Sequence, residues 1–594
     1  MEVEKVRTIK RIVCAAAAFA VMLNITAFPV SADDRQTVTV SYEARTAVFS
    51  GWGTALYRWG EAIGGDYDMT EEATRLLYGD SRLRMNIARY VAGGGDAPSH
   101  SHFADKDTAV PGWWSASALA EGKGCVIDKN ADQHQRNVLE SAVTAAGGNV
   151  KTDICAYSPP YFMTVSGCTA GAVYSGDDNI TPTQADQYAG YLADIASAIK
   201  NSGVSVGSIS PMNEPSSLHW KAYSTRQEGC HISQGEMQSR VLVSLRSALN
   251  MRGLTSVTIA ASDEADPDTA AASYNALTNV ARGCTGRITV HSTASADPDA
   301  FIQAAEDAGD AWITDADGLY TAGEDAGEMS AALGLSRSII NDLNRTSASA
   351  WVMWQAVNLN KPDLSGSYTG LVNADMESGS VSATQRYYAF GQFSRYIRPS
   401  SVLIKVDDRT IAAYDNGKHE LTVVAVNDTA EEKHVKYAIE GFDILKGGSV
   451  TETRTSGSLA SGEHWSSKPN AAKLYKSGFS ADLEPNSVTT YVVSGVHLRV
   501  EGQAGDINSD GVINVTDVSL VSAYVKSFKS LDAVQQQLAD VNGDGLINVS
   551  DISMIAAHVK GVRVIKGSAR YSEDDLLTDE ETTADEETTP DNDG

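Results

Sequence analysis

Between about residue 35 and residue 400, short apolar runs rich in β-branched residues alternate with helical stretches rich in Ala, Leu and Gln. Several runs are hydrophobic at nearly every position, which is typical of parallel strands covered on both faces. The eight runs are Phe49–Leu56, Leu83–Tyr90, Asn149–Tyr157, Val204–Asn213, Ser256–Ser262, Arg287–Thr293, Ala311–Asp315 and Ala350–Val357. Eight strand–helix units predict an α/β fold, a (β/α)8 TIM barrel. An open doubly wound sheet is the alternative, but no Gly-rich phosphate loop follows an early strand.

From Ser401 to Val496 the pattern changes to alternating apolar and polar positions between polar turns. This alternation predicts a small antiparallel β domain beside the barrel. The predicted strands are Val402–Val406, Thr410–Tyr414, Leu421–Val426, His434–Ile439 and Thr489–Val493. The N-terminal segment Thr37–Tyr42 alternates in the same way and is a candidate to join this domain.

Two 12-residue segments near the C-terminus repeat each other at a distance of 34 residues. Each has oxygen-bearing side chains at loop positions 1, 3, 5, 9 and 12, and a glycine at position 6 for the sharp turn. Position 7 offers its backbone carbonyl, and position 12 is Asp where an EF-hand usually has Glu. The pattern predicts two Ca²⁺ ions. Their ligands would be Asp506, Asn508, Asp510, Val512, Asn514 and Asp517 in one loop, and Asp540, Asn542, Asp544, Leu546, Asn548 and Asp551 in the other.

One amphipathic helix is predicted after each loop, Val518–Val525 and Ile552–Val559, and none before the first loop. This doubled loop–helix unit, from about Gly505 to Val562, resembles the type I dockerin domain of cellulosomal enzymes. The resemblance implies a small all-α calcium-binding module whose partner is a cohesin domain of a scaffold protein. Val515-Thr516 and Val549-Ser550 match the positions that contribute to cohesin choice. A calcium-stabilised spacer without a partner is the alternative.

The charge is strongly acidic, with 47 basic and 76 acidic residues and a net charge of −29. This balance argues against nucleic acid as a partner, since binding there requires a basic face. The last 24 residues, from Tyr571, contain no basic residue and cannot bury apolar surface, so they are expected to be disordered.

The first 32 residues have the order of a secretory signal. Basic residues precede the apolar run Ile12–Leu23, and Val30-Ser31-Ala32 offers a cleavage site. We therefore expect a secreted, extracellular protein, attached to a scaffold or a cell surface, with no membrane span in the mature chain. An uncleaved membrane anchor is the alternative.

Five cysteines follow that segment: Cys125, Cys155, Cys168, Cys230 and Cys284. They are scattered without CxxC spacing, which argues against zinc. One or two disulfides and buried free thiols both remain open.

The sharpest candidate for chemistry is Asn213-Glu214-Pro215, which ends the fourth predicted strand. Catalytic groups of such barrels lie at the C-terminal ends of strands. Asp315 ends the seventh predicted strand and could supply a second carboxylate. Two carboxylates that flank one bond suit glycosidic hydrolysis, which needs no cofactor.

Several strand ends, and the predicted helix Phe390–Pro399 that leads back to the β side domain, resemble motifs of glycoside hydrolase family 30. They are Gly51-Trp-Gly-Thr54, Asn86-Ile-Ala-Arg89-Tyr90, Ser158-Pro-Pro-Tyr-Phe-Met163, Asn213-Glu214, His291, Trp351-Val-Met-Trp354-Gln355 and Phe390–Pro399. Sequences related to endo-β-1,6-galactanases look most similar, and glucuronoxylanases are a second possibility. The resemblance covers Thr37 to Val496 and implies hydrolysis of a β-linked polysaccharide with retention.

The resemblance also implies roles for individual residues. Glu214 would be the general acid and base, and Asp315 the nucleophile. Asn213 would bind the sugar 2-hydroxyl, and Arg89 would support the nucleophile electrostatically. The remaining substrate-site residues are His291, Trp354, which would stack on a sugar, and Trp52 of the first-strand motif.

Four positions depart from the family pattern. The nucleophile is usually Glu, but here it is Asp315, which is one methylene shorter. A misplacement of about 1 Å can cost on the order of 10²-fold in rate. The sixth strand usually carries a Tyr, where this chain has His291-Ser292-Thr293. Tyr157 replaces a common Asn, and Arg58 replaces an aromatic residue.

These departures leave three readings of the barrel. The first is a working hydrolase, with retention or, if the wider gap admits water, inversion. The second is a catalytically impaired carbohydrate-binding barrel carried on a scaffold by its dockerin. The third is a purely structural subunit. Glu324 and Glu264 are substitute nucleophiles in principle.

The expected division of the chain follows from these patterns. We expect a signal peptide over 1–32, a glycoside hydrolase (β/α)8 barrel over 33–400 and a β side domain over 401–496. A type I dockerin domain follows over 505–562, and a disordered acidic tail over 563–594.

Overall fold

The structure is a computed structural model, and it describes residues 36–291, 298–318, 325–359, 369–500, 502–526, 528–565, 571 and 573–578. The predicted signal peptide lies outside the described residues, as do Ser292, Thr293 and Glu324. None of the helices in the described ranges combines the length and the apolar character that crossing a membrane requires.

Eight parallel strands form a closed barrel, which confirms the predicted fold class. Two short strands precede it, β1 (Gln36–Ser41) and β2 (Arg45–Val48). The barrel strands are β3 (Gly51–Ala55), β4 (Ile87–Val91), β5 (Lys151–Cys155), β6 (Val206–Ser210), β7 (Thr258–Glu264), β8 (Arg287–Val290), β9 (Ala311–Ala316) and β10 (Ala350–Met353). Each lies within or overlaps one predicted run, and β10 pairs with β3 to close the ring.

The helices of the barrel region cover the outside of the ring. They are α1 (Trp59–Ile63), α2 (Tyr67–Tyr78), α3 (Ala116–Ala120), α4 (Gln133–Ala145), α5 (Pro182–Asn201), α6 (Glu236–Met251), α7 (Pro267–Ala276), α8 (Asn279–Cys284), α9 (Asp299–Ala308), α10 (Met329–Thr346) and α11 (Gln385–Ser394). The longest, α5, begins with a capping box between Thr181 and Gln184, which satisfies free amide groups at its first turn.

The β domain consists mainly of a seven-stranded and a four-stranded sheet. After a small sheet of β11 (Val357–Asn358), β12 (Val372–Asp375) and β13 (Ser380–Ala383), its strands are β14 (Val402–Lys405), β15 (Thr410–Asp415), β16 (Glu420–Asn427), β17 (Lys433–Glu440), β18 (Phe442–Ile444), β19 (Val450–Ser456), β20 (Glu463–Ser467), β21 (Lys473–Tyr475), β22 (Gly478–Leu483), β23 (Ser487–Ser494) and β24 (Val496–Leu498). All five predicted strands are present. The predicted N-terminal strand also joins this domain, as β1, which pairs in parallel with β17.

The C-terminal module contains three helices, α12 (Val515–Val525), α13 (Ala533–Ala539) and α14 (Val549–Val559). Two were predicted, but both begin three residues earlier than expected. Asn514 and Asn548 each cap a helix and form a capping box with the Asp three residues later. The prediction missed α13, whose short polar sequence has little periodicity. Ala533 and Leu538 of α13 pack into the core of the β domain.

Part of the predicted disordered tail makes defined contacts. Leu576 is buried and forms a β-bridge with Leu445, and the Leu577 N–H donates to the Ile444 carbonyl at 2.8 Å. The apolar pair Leu576-Leu577 explains the difference, since the prediction weighed only the acidic composition. Residues 579–594 lie outside the described residues.

Candidate active site and calcium loops

Three carboxylates lie at or just beyond the C-terminal ends of barrel strands β6, β7 and β9. They belong to Glu214, Asp263 and Asp315, whose φ angles of 43°, 60° and 48° are in the left-handed region. A non-glycine residue held there costs about 1–3 kcal/mol, and such strain concentrates at functional sites. The Glu214 N–H donates to the Asp263 carbonyl at 2.7 Å, so two of these strained turns support each other.

An open cleft of about 520 Å³ lies above these strand ends. The predicted site residues that line it are Asn213, Glu214, His291, Asp315 and Trp354. Loop residues His219, Trp220, Arg226 and Gln227 form one wall. The Glu214 side chain is 23% exposed and that of Asp315 only 6%, so the two carboxylates reach the cleft to different degrees.

His291 lies between the carboxylates. Its Nδ1 is 3.1 Å from Glu214 Oε1, and its Nε2 is 3.9 Å from Asp315 Oδ2 and 3.7 Å from Asp263 Oδ2. The ring is buried, which by itself lowers the pKa of an imidazole, but the surrounding carboxylates raise the pKa of His291 well above its usual value. One imidazolium therefore connects the two candidate catalytic groups.

Arg89 is fully buried beneath the cleft and joins three carboxylates. It forms ion pairs with Asp153 at 2.6 Å, with Asp315 through Nε at 2.9 Å, and with Asp263. The prediction that Arg89 supports Asp315 electrostatically agrees with this geometry. Its place among the substrate-binding residues was wrong, because the guanidinium has no exposed surface and does not line the cleft.

Tyr157 makes a contact that the sequence did not reveal. It follows β5, and its hydroxyl donates to Asp315 Oδ2 at 3.2 Å. The family pattern places a Tyr for this purpose on the sixth strand, where this chain has His291. The hydrogen bond to Asp315, at the end of the seventh barrel strand β9, therefore comes from Tyr157, after the third barrel strand β5. Tyr157 is one of the four positions that depart from the family pattern.

The pKa values of the two catalytic candidates move in opposite directions. Burial acts to raise the pKa of Glu214, but the hydrogen bond and charge of His291 outweigh it and hold that pKa below its usual value. Burial raises the pKa of Asp315, and the charges of Arg89 and His291 offset this only in part. A hydrogen bond from Tyr157 also acts to lower it.

Asn213 is buried at the cleft, and its Oδ1 has no hydrogen-bond partner among the described residues. A buried acceptor without a partner costs about 1–3 kcal/mol, which a hydroxyl group of a bound ligand would recover. This geometry fits the predicted role of Asn213 in holding a sugar hydroxyl.

The two predicted tryptophans differ. Trp354 lines the cleft and stacks on Tyr57, with ring centroids 6.3 Å apart and planes at 23°. Trp52 is fully buried, packs against Phe49 and Phe390, and donates from Nε1 to the Ile397 carbonyl at 2.8 Å. The prediction of Trp52 as a substrate-binding residue was therefore wrong, because its side chain points out of the barrel towards α11.

Two further acidic residues of β7 matter here. Asp263, which the sequence reasoning missed, is fully buried, and the charge of Arg89 holds its pKa far below the usual range despite burial. Its signal was only a polar residue at the end of an apolar run. Glu264, considered as a substitute nucleophile, instead accepts hydrogen bonds from Ser216 and Ser273, both at 2.7 Å.

The predicted calcium loops have matching internal geometry. In the first, Asp506 Oδ1 accepts from the Asp510 N–H at 3.1 Å and Oδ2 from the Gly511 N–H at 2.8 Å. In the second, Asp540 accepts from the Asp544 and Gly545 N–H groups at 3.2 and 2.8 Å. The loops therefore curl around the carboxylate at position 1 in both copies.

The donor chemistry of these loops fits calcium. The side chains offer oxygen, as Ca²⁺ requires, and Asp517 and Asp551 at position 12 are fully buried. Burial and the charge of Asp551 raise the pKa of Asp540, as expected where two carboxylates lie near each other.

Comparison with known proteins agrees with both sites. Residues 85–282 match the family model of O-glycosyl hydrolase family 30, and residues 504–560 match that of the dockerin type I domain. The chain is 28% identical over 503 residues to an endo-β-1,6-galactanase of Hypocrea rufa, which covers 78% of this chain and 95% of that protein. It is 25% identical over 448 residues to an exo-β-1,6-galactobiohydrolase of Bifidobacterium longum subsp. longum, which covers 59% of this chain but only 29% of that longer protein.

Solved structures share the fold at low sequence identity. The catalytic domain of a GH30 xylanase C from Talaromyces cellulolyticus superposes with a TM-score of 0.58 at 19% identity, over 77% of this chain and all of that chain. A conserved exported protein from Bacteroides fragilis gives 0.62 at 16% identity, with the same coverage.

The dockerin match carries its own consequences. Type I dockerin domains bind calcium, imply a cohesin domain as partner, and indicate extracellular proteins associated with cellulosomes. The barrel, the carboxylates at its strand ends and these matches lead to one assignment. The chain carries a glycoside hydrolase family 30 domain, matched over residues 85–282, and a C-terminal type I dockerin domain, matched over residues 504–560.

Proposed function

We propose that this chain cleaves β-1,6-linked galactan, or a related β-linked hemicellulose, with retention of anomeric configuration. The observation that carries the proposal is the position of Glu214 and Asp315 in one cleft, connected by His291. The linkage is inferred from the two curated relatives, both of which are named for β-1,6-galactan chemistry.

In the proposed mechanism, Asp315 attacks the anomeric carbon while Glu214 protonates the leaving oxygen. Glu214 then removes a proton from the water that releases the sugar from Asp315. The resting pKa of Glu214 is low, so the carboxyl needs a proton source, and His291 Nδ1 lies 3.1 Å away. Transfer of that proton leaves a neutral imidazole and a protonated Glu214.

The neighbours of Asp315 act against the effect of burial on its pKa. Arg89 and His291 favour the carboxylate, and the Tyr157 hydroxyl donates to its Oδ2. Positive charge that develops on the sugar ring in the transition state acts in the same direction. Asn213 would hold a hydroxyl next to the reacting carbon, and Trp354 would form an apolar floor for the ring.

One observation favours the second reading, a sugar-binding barrel with impaired hydrolysis. The shorter side chain of Asp315 is 6% exposed, and burial raises its pKa. Both features weaken a nucleophile, and a protonated Asp315 would leave binding of the sugar intact.

For the C-terminal module we propose two calcium ions, one per loop, with the ligands predicted from the sequence. The exposed apolar residues Val515 and Val549, at the start of α12 and α14, would contact a cohesin domain. The proposed domain division is that predicted from the sequence, with export directed by residues 1–32 and the mature protein held on a scaffold outside the cell.

The test is release of reducing ends from β-1,6-galactan, arabinogalactan and glucuronoxylan. We expect the wild type to act on β-1,6-galactan, and Glu214→Gln to lose about 10²- to 10⁴-fold in rate. Asp315→Ala should be inactive. Glu306→Gln changes an exposed carboxyl on α9 and should behave as wild type.

Two results would separate the readings. Binding of a polysaccharide without hydrolysis by the wild type would replace the enzyme reading with the sugar-binding one. Activity on glucuronoxylan alone would keep the mechanism and overturn the substrate.

A further inference from the structure

A second cluster of ligand-type side chains lies in the loops at the same end of the barrel, outside the catalytic group. Asp96, His100 and His102 follow β4, and Cys168 follows β5. One donor atom from each of the four lies within 4.8 Å of the others. His102 Nε2 is 2.7 Å from Asp96 Oδ2 and 3.4 Å from Cys168 Sγ, and His100 Nδ1 is 3.0 Å from the same Asp96 oxygen.

Contacts behind these side chains fix their orientation. His102 Nδ1 lies 2.6 Å from the Ser224 carbonyl, so Nδ1 carries a proton and Nε2 is turned into the cluster. Asp96 Oδ1 accepts from the Thr169 N–H at 3.1 Å, which leaves Oδ2 for the cluster. A histidine anchored to a backbone carbonyl through its second nitrogen is the usual arrangement around a protein-bound metal.

The cluster is also enclosed in a way that suits a bound ion. The side chains of Asp96 and His102 are about nine-tenths buried, at 11% and 10% exposure, and Cys168 is fully buried. His100 is somewhat more exposed and would leave a route of entry. Two electron-pair donors, Asp96 Oδ2 and His102 Nε2, face each other at 2.7 Å, which requires a positive charge between or upon them.

We propose that Asp96, His100, His102 and Cys168 bind one divalent transition-metal ion, and that this ion is zinc. One sulfur, two imidazole nitrogens and one carboxylate oxygen make a four-coordinate set of the kind that zinc prefers over calcium or magnesium. Bonds of about 2.0–2.3 Å in a tetrahedron place donors roughly 3.3–3.7 Å apart. The Cys168–His102 pair already has that spacing, and Asp96 would need a shift of less than about 1 Å.

The ion would act on the shape of the substrate cleft, not on the chemistry. None of the four side chains lines the cleft. The ion would join the loops after β4 and β5, and through His102 and the Ser224 carbonyl it would hold the loop after β6. That third loop carries His219, Trp220 and Arg226, which form a wall of the cleft.

The spacing of these four residues in the sequence does not indicate a zinc site. A zinc site was judged improbable because the cysteines lack CxxC spacing, but the cluster uses one cysteine and a His-x-His pair that lies 66 residues before it. Its ligands come from two loops that only the barrel brings together.

The test measures bound metal in the full chain. Protein produced with zinc is dialysed against metal-free buffer containing excess Ca²⁺, which keeps the dockerin loops supplied, and is analysed by mass spectrometry for elements. We expect about one zinc per wild-type chain. Cys168→Ser and the double variant His100→Ala/His102→Ala should each lose at least about tenfold in zinc content. Cys125→Ser, a change of the same kind at a half-buried cysteine elsewhere, should keep its zinc.

Cobalt substitution gives a second readout that does not depend on activity. A thiolate-to-cobalt charge-transfer band should appear in the wild type and in Cys125→Ser, and be absent in Cys168→Ser. Equal calcium content and equal near-ultraviolet circular dichroism would show that the variants are folded. Wild-type protein without stoichiometric zinc, or Cys168→Ser with unchanged zinc and an unchanged cobalt spectrum, would overturn the proposal and leave a hydrogen-bonded histidine–aspartate pair.

Discussion

The barrel centre and the calcium loops both gather carboxylates, but they do so in opposite ways. In the barrel, Arg89, Asp263, His291 and Asp315 come from four strands or their C-terminal ends, and their contacts join residues as far apart in sequence as Arg89 and Asp315. In each calcium loop, the contacts of the position-1 and position-12 carboxylates span at most ten residues. In the barrel centre, the positive charge comes from the side chains of Arg89 and His291. The calcium loops instead present oxygen donors to an ion that must come from solution.

This difference predicts how each region responds when a charged side chain is removed by substitution. Removing one charge from the barrel leaves buried partners uncompensated within the core. Removing a loop carboxylate disturbs one small module and leaves the barrel unchanged.

Arg89→Met should destabilise the barrel by about 3–5 kcal/mol, because three buried carboxylates lose their shared partner. Urea unfolding followed by tryptophan fluorescence measures the effect. Arg252→Met removes an arginine paired with Asp194 at the surface, and its cost should be within about 1 kcal/mol. Equal costs for the two variants would contradict the account of Arg89 as a buried hub.

Asp506→Ala combined with Asp540→Ala should weaken cohesin binding by at least about 100-fold, or about 2.7 kcal/mol, because each loop loses its first ligand. Hydrolysis by the barrel should stay unchanged. Isothermal titration with a cohesin domain and a reducing-sugar assay measure the two effects. The control Asp482→Ala removes an exposed carboxylate from β22 and should change neither. A parallel loss of hydrolysis in the loop variant would refute the independence of the two regions.

Tyr157→Phe should lower kcat/KM by about 10- to 150-fold, since a hydrogen bond to a charged group contributes about 1.5–3 kcal/mol. Its loss raises the pKa of Asp315 further. Tyr57→Phe is the matched control, because the Tyr57 hydroxyl donates to the Thr108 carbonyl and not to Asp315. Equal rates for the wild type and Tyr157→Phe would remove Tyr157 from the site.

His291→Gln should move the basic limb of the pH profile of kcat/KM downward by at least about one unit. In the wild type the proton for Glu214 resides on His291, whose pKa lies well above its usual value, so the pair keeps that proton to a higher pH than Glu214 alone would. His219→Gln should shift the limb much less, because His219 contributes only its charge to Glu214. An unchanged limb or an upward shift in His291→Gln would contradict the role of His291 as the proton source.

The same contrast explains what the sequence could predict. The candidate loop ligands follow a fixed 12-residue spacing, so a full set could be proposed from the sequence. The predicted helices differ from the observed α12 and α14 only in their first turn. The eight barrel strands were visible as apolar runs. Glu214, Asp315 and His291 were found because they end such runs and match family motifs.

Other parts of the barrel site could not be predicted from a local sequence pattern. Tyr157 and Asp263 acquire their roles only through partners on distant strands, and no local pattern marks them. The prediction that Trp52 binds substrate was wrong for the converse reason. A motif identifies the residue, but it does not tell on which face of the strand the side chain lies. Asp96, His100, His102 and Cys168 meet only because the barrel aligns their loops.

The most direct test of the central claim is to identify the residue that becomes glycosylated during turnover. A slow 2-deoxy-2-fluoro-β-galactoside is incubated with the enzyme, the reaction is quenched with acid, and the digested protein is mapped by mass spectrometry. The account predicts a single adduct on Asp315, accumulating in the wild type and absent in Asp315→Ala. An adduct on Asp263 or Glu264, or turnover with inversion and no adduct, would contradict it.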